Sequence, residues 1–411
     1  MQKFEKHSPV VVTEVTAKHE LRQFMQYPNR LYADNPNYIP SFYGDDLSDW
    51  TPGKNPAFDY CEARCWLARR DGEIVGRIGA ILSHKANDKF GTHRMRFSQV
   101  DFVDDSEVSA ALFGTVERWA REKGCDQVHG PLGFTDMDRE GMLVEGFDRR
   151  SLFFTNYNAP YYLEHLTRLG YRKDVDWIEY RITVPEPGGA EAERLHKLSE
   201  FILKRKHLHV ATVHHKSEYG PFVRQVFELV NAAYAPLYGV VELSDEQIER
   251  YANKFIPLVD PDFVCFVVDE QDQLVAFGVT ALDPSVALKH SDGRLFPFGW
   301  AGVLNDLHHS DTLIMLLTAV RPDLQTEGIN AVMMDHVCQS CNRHGVRFAE
   351  TGPMLELNDH ILAQWKRLEK EQHKRRRCFI KDLDHGINAA NAAVAAQAEV
   401  PEAAPAAESA E

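Results

Sequence analysis

Apolar and polar positions along this chain fall into the same order twice. In the first round, apolar-rich stretches at 65–68 and 74–82 flank Asp71 and Gly72, a two-residue signal for a tight hairpin, and 95–103 reads as a further strand. Asp104, Asp105 and Ser106 supply N-cap chemistry for a helix running to Lys123, with Val108, Leu112, Val116 and Trp119 on one face and Gly124 at its end. A short strand at 126–129 follows. In the second round, 263–268 and 274–280 make a hairpin around Asp272, and 312–320 is a buried type of strand. A helix over 329–343 then places Ile329, Val332, Met333, His336, Val337 and Ser340 on one face and stops at Gly345. Each round closes alike: helix, glycine, short strand, then a Gly-Pro pair, Gly130-Pro131 and Gly352-Pro353. The match points to duplication of one αβ unit and to a mixed α+β sheet domain, twice.

A chain of 411 residues is long enough for two cores. The breakers and small residues at 184–190 mark the junction, giving domains at 8–183 and 192–384 with a linker at 184–191. The Ala/Glu/Pro tail, 385–411, is too poor in large apolar residues to fold. No run of apolar residues is long enough to cross a bilayer, and the charged N-terminus lacks the pattern of a signal peptide, so a cytoplasmic protein is expected. Seven scattered cysteines fit reduced thiols; Cys338 and Cys341, though spaced as CxxC, read as helix packing, and no metal is expected. A net charge of -15 argues against a nucleic-acid surface. The basic run 374–377 is the local exception, either a solvated strand or rim or a holder of phosphates on an anionic cofactor.

Chemistry concentrates at 317–331. A strand runs through a glycine-bearing loop directly onto a helix, so unpaired backbone N–H groups and the positive end of the helix dipole converge where an anion can sit. The spacing Val320, Pro322, Gln325, Gly328, Ala331 resembles the pyrophosphate loop of the GNAT superfamily. That resemblance implies that Gln325, Thr326, Glu327, Gly328, Ile329, Asn330 and Ala331 grip the diphosphate of an acyl-CoA and that 317–320, ending at Val320, pairs with its pantetheine arm. The sequence departs from the family at Asn330, where a small residue is usual. The first round has Asp104, Asp105, Ser106 and Glu107 at the equivalent place, which would repel a diphosphate, so that half is expected to shape an acceptor site.

Many members of this superfamily use a tyrosine on the next helix to protonate the departing thiolate; here the matching position is Trp365, which cannot. Candidate bases are Glu350 and Glu356, with helix-start capping as their alternative role, and Asn358 closes the same turn. Tyr238, with Tyr234, is either an acid or a packing residue. The loop 130–147 carries Asp136, Asp138, Glu140 and Glu145 and leads to Asn156 and Tyr157, a polar segment suited to a cationic amine or to a capped surface turn. No cysteine or serine sits in a nucleophile setting, which favours direct attack of the amine.

This segment, the 352–358 turn and the basic ending resemble the YghO-like bacterial tandem-GNAT proteins over nearly the whole chain. The resemblance implies an acyl-CoA-dependent N-acyltransferase, with long-chain transfer to a sphingoid-base amine, as in bacterial ceramide synthase, as one substrate class and transient membrane contact as an option. Acetyl transfer to a small soluble amine and a non-catalytic acyl-CoA-binding protein are the alternatives. The aromatic stretches 157–162 and 296–300 read as core packing, with a lipid channel as their other use.

Overall fold

A computed structural model describes residues 8–383; the tail expected at 385–411 lies outside them. Fourteen strands form one sheet: β1 (Val11–Glu14), β2 (Cys61–Arg70), β3 (Glu73–Ser83), β4 (Arg94–Phe102), β5 (Gln127–Gly130), β6 (Met142–Glu145), β7 (Arg172–Thr183), β8 (His209–Val210), β9 (Val264–Val268), β10 (Leu274–Leu282), β11 (Thr312–Val320), β12 (Phe348–Glu350), β13 (Met354–Leu355) and β14 (Lys370–Asp382). The helices are α1 (Lys18–Leu31), α2 (Tyr43–Asp49), α3 (His84–Phe90), α4 (Ser106–Glu122), α5 (Tyr162–Arg168), α6 (Ala190–Lys206), α7 (Gly220–Tyr234), α8 (Asp245–Phe255), α9 (Ser285–His290), α10 (Gly299–His309), α11 (Asn330–His344) and α12 (Asp359–Ala363). Both expected hairpins form, β2–β3 and β9–β10, and both expected helices follow their strands, as α4 after β4 and α11 after β11.

Period-two burial fixes the layers. In β2, Trp66 and Ala68 face α4 while Cys65 and Leu67 face Phe24 and Met25 of α1. In β9, Cys265 and Val267 face α6 and α11 while Val264, Phe266 and Val268 face α7 and α8. Each half is thus a sheet covered on both faces.

The strand order is β1-β2-β3-β4-β5-β14-β7-β12-β11-β10-β9-β8, with β13 on β7 and β6 on β14. Residues 184–189 connect β7 to α6, yet the sheet does not divide there, because β7 pairs with β12 of the second half. The last strand, β14, returns to lie between β5 and β7 of the first half. This placement corrects the expectation for 374–377. The run is neither a solvated rim nor a phosphate holder: Lys374 and Arg376 point inward and are fully buried, paired with acids from β7 and β12. Arg375 and Arg377 point the other way, to Asp176 and Glu356.

Among the described residues two neighbouring pairs in the sheet are parallel, β4 with β5 and β11 with β12. In each, pairing lasts for three positions, 94–96 with 127–129 and 312–314 with 348–350, after which the longer strand runs on to Phe102 or Val320 without that partner. The sheet therefore opens into a V at the same place in both halves.

Candidate functional site

The two V-shaped openings differ in what fills them. In the first half the chain closes its own gap: Leu132 N–H donates to Phe97 O at 3.0 Å, and Leu132 and Phe134 are buried behind it. The start of α4 is closed as well, since the Asp105 carboxylate accepts from the amides of Glu107 and Val108 and is itself held by Arg70. A diphosphate there would meet a carboxylate where it needs donors.

In the second half the same place is open. β11 ends at Val320, Pro322 starts a single 3-10 turn (Pro322–Leu324), and Gly328 turns the chain with φ of 81° onto α11, which has no side-chain cap. The turn is exposed at Gln325, Thr326 and Gly328. Among the described residues, the amides of Thr326, Gly328 and Ile329 have no protein acceptor, whereas Gln325 closes the 3-10 turn and Glu327 N–H donates to Leu324 O. Glu327 does not intrude on these donors; its carboxylate is drawn aside to Lys206 at 2.7 Å. The lysine holds the acid below its usual range. The end of α6 thus sets Lys206, with Arg205 close by, against the loop, a contribution the sequence reading missed although three successive basic residues, 204–206, stand out in an acidic chain.

Beside the loop lies an apolar cleft of about 740 Å³, open to solvent, between α11 and the segment after α12. Met315, Leu317 and Thr318 of β11, Ala349 of β12, and Asn330 and Met333 of α11 line it. Trp365 forms part of its wall, buried, with the indole N–H donating to Met354 Sδ at 3.2 Å. The first half faces this opening. Phe154 lies near Gly352, just beyond β12, and Met137, Leu316 and Leu317 pack on one shared apolar cluster. A second cleft of about 630 Å³ opens between the halves, walled by Phe42, Asp46, Asp138, Arg139 and Phe153 from the first and Lys254 from α8.

No family model matches the chain. It is similar to Protein YghO of Escherichia coli (strain K12), 27% identical over 372 residues that cover 89% of this chain and 94% of that protein. It is also similar to a bacterial ceramide synthase of Caulobacter vibrioides, 28% identical over 300 residues covering 71% and 75%. In fold it is similar to a tandem GNAT protein from the clavulanic acid biosynthesis pathway, with a TM-score of 0.52 at 14% identity, over 91% of this chain and 99% of that one. The fold of this chain is that of a tandem GNAT protein. Its paired V-shaped openings, one plugged and one open, are the GNAT unit in duplicate.

Within this GNAT frame the candidate side chains separate. Glu350 ends β12 beside the opening, but Lys374 Nζ lies 3.2 Å from it and 3.2 Å from Glu179. Burial alone would raise Glu179; Arg376 and Lys374 outweigh it and hold the carboxyl at about 2. Glu356 is bound by Lys173 at 2.5 Å and by Arg375. Asn358 accepts from Ile361 N–H as the cap of α12. Tyr238 is not beside the opening: its hydroxyl donates to Asp174 at 2.5 Å and also meets His129 and Cys378, and burial raises it far above the phenol range. Tyr234 is nearer, its hydroxyl donating to Thr318 O of β11 at 2.8 Å.

The acids of the first-half loop divide in the same way. Asp138 is occupied as a clasp, accepting from the amides of Phe134 and Thr135 and from Tyr251. Glu145 pairs with Arg375 at the surface, Asn156 donates to Gly141 O, and Tyr157 is buried among Tyr32, Tyr38 and Leu143. Asp136 and Glu140 are half-buried with neither an ion pair nor a hydrogen bond from another residue to their carboxylates among the described residues. Burial pushes Asp136 up to about 6, and burial with the nearby Asp136 charge lifts Glu140 well above the carboxylate range. Arg96, whose charge acts on both acids, has its donors committed to the carbonyls of Gly133, Phe134 and Gly239.

Proposed function

We propose that this protein transfers an acyl group from a coenzyme A thioester to an amine, with the second half binding the thioester and the first-half loop presenting the amine. The observation that carries this is the contrast between two helices of equivalent position: α4 is capped by its own aspartate, and α11 leaves main-chain donors free at an exposed loop. Free amides supply the charge-assisted hydrogen bonds that a diphosphate accepts, and Lys206 and Arg205 add positive charge beside them. The cleft under β11 is apolar enough to hold a pantetheine arm and the start of an acyl chain.

Asp136 is the assigned base. A carboxylate raised toward 6 is a stronger base than an ordinary aspartate and is still mostly ionised at neutral pH. The Asp136 carboxylate attracts an ammonium and takes one proton, the neutral nitrogen attacks the thioester carbonyl, the N–C bond forms as the C–S bond breaks, the pair on sulfur leaves as thiolate, and the second proton on the acylated nitrogen passes to that thiolate. Trp365 offers no proton to that thiolate. Long acyl chains and a sphingoid-type amine are the assigned substrates, supported by the apolar cleft and by similarity to a protein named as a ceramide synthase.

The test is purified protein incubated with acyl-CoAs of graded length and with sphinganine or a polyamine. Thiol release that depends on acceptor, highest for long chains with sphinganine, is the expected outcome. Saturable acyl-CoA binding with no thiol released under any acceptor would replace the transferase with a carrier.

A further inference from the structure

The expectation that 296–300 packs in the core is wrong for its aromatic side chains. Phe296 and Phe298 are each 80% exposed, Trp300 is 48% exposed and Leu304 46%. They occupy the connection from α9 to α10 and the outward face of α10, where Ala301 is exposed as well. The inward face is anchored normally, with Val303 and Leu307 buried against Phe42, Phe153 and Ile314. A helix on the surface of a water-soluble unit presents polar residues outward; this one is apolar on both sides at its start.

We propose that this face docks on a lipid bilayer. Three observations favour a bilayer over a protein partner. The two phenyl rings stand out as tips rather than lining a groove, and a protein would need matched pockets for them whereas the bilayer interface accepts any aromatic tip. Part of the polar backbone at the tip is already bonded within it: Trp300 Nε1 donates to Pro297 O at 3.2 Å, Trp300 N to Leu295 O at 2.8 Å and Ala301 N to Phe298 O at 3.2 Å, while Pro297 has no N–H to strand. The charge is also right. On a chain of net charge -15, residues 285–309 hold Lys289 and Arg294 against Asp292 and Asp306, with His290, His308 and His309 exposed at the rim. Asp306 is turned inward to the Ala287 amide at 2.7 Å. This face is therefore one that an anionic leaflet does not repel.

The patch adjoins the cleft between the halves. Tyr43 N–H donates to Gly293 O at 3.0 Å, the Arg294 guanidinium lies 5.3 Å from the centre of the Tyr43 ring, and Phe42 and Phe153 belong both to the cluster under α10 and to the cleft wall. Docking would bring the cleft to the lipid surface, where an amphiphilic amine resides. The proposal is independent of the acyl-transfer assignment, and its test reads no turnover.

Full-length protein is sedimented with vesicles of phosphatidylethanolamine and phosphatidylglycerol, and a Phe296→Ser/Phe298→Ser variant is compared with it. The expected result is wild-type binding with tryptophan fluorescence quenched by brominated lipid, and binding weaker by about tenfold or more in the variant, in proportion to the apolar area removed. Because both side chains project into solvent, the variant should melt at the wild-type temperature. Wild-type protein that stays in the supernatant, or a variant that binds as well as wild type, overturns the proposal. So does a wild-type dimer that forms through this patch and leaves vesicles unbound.

Discussion

Replacing Gly328 by valine tests the phosphate loop directly. The native φ of 81° is one that a residue with a side chain adopts at a cost of about 1–2 kcal/mol. A Cβ there would stand 3.2 Å from Ile202 Cδ1, close enough to need a small shift of a flexible side chain. The predicted stability loss is thus about 1–2 kcal/mol, a fall in Tm of a few degrees at most. The effect on ligand should be larger. If the loop relieves the strain by changing φ, the Gly328 and Ile329 amides turn away, and losing one or two hydrogen bonds to a charged group, at about 1.5–3 kcal/mol each, weakens coenzyme A binding about tenfold to more than a hundredfold. Gly345→Val is the control. That glycine has a similar φ of 71° at the far end of α11, with nothing within 4 Å of a Cβ, so it carries comparable backbone strain away from the loop. Calorimetric titration with coenzyme A, alongside thermal melts of all three proteins, should show weak binding for Gly328→Val alone. Equal affinity in Gly328→Val and wild type, or equal losses in the two variants, would refute the reasoning.

Three further outcomes follow from the charges. Activity should fall as pH drops below about 6, where Asp136 becomes protonated, and Asp136→Asn should lower kcat by about a hundredfold or more and remove that acid limb from the pH profile; an unchanged limb assigns the proton to another group. Lys374→Met leaves Glu179 and Glu350 buried without their shared cation and should cost about 3–5 kcal/mol in denaturant unfolding, with part regained in Lys374→Met/Glu350→Gln; a loss well under that range would mean that Arg376 alone suffices for the pair. Burial lowers His129 to about 4, so the unfolded chain takes up its proton first, and stability should decline as pH falls from about 6.5 toward 4, by up to about 3 kcal/mol from this group; His129→Gln should flatten that decline, the remainder coming from His373, lowered to about 4 by burial as well.

What could be read from the sequence was local. The hairpins at 71–72 and 272, the Asp105 cap and the loop from Pro322 to Ala331 each depend on residues a few positions apart, and each stands where its pattern places it. The basic run 374–377 was opaque because its partners, Asp176, Glu179 and Glu350, come from strands that only the finished sheet brings alongside. The aromatic run 296–300 misled for another reason, since an apolar residue type does not say which way a side chain points when neither strand nor helix period governs it. Asp136 and Asp138 look equivalent in the sequence and differ only because Asp138 finds three donors and Asp136 finds none outside its own residue.

The position of β14 sets a constraint on assembly. Until residues beyond 370 leave the ribosome, β5 and β7 have a missing neighbour and expose bare edges, so the first half, although synthesised first, completes last. The final strand acts as a closing bolt, and a chain cut short before it should aggregate rather than persist as a separate half-molecule.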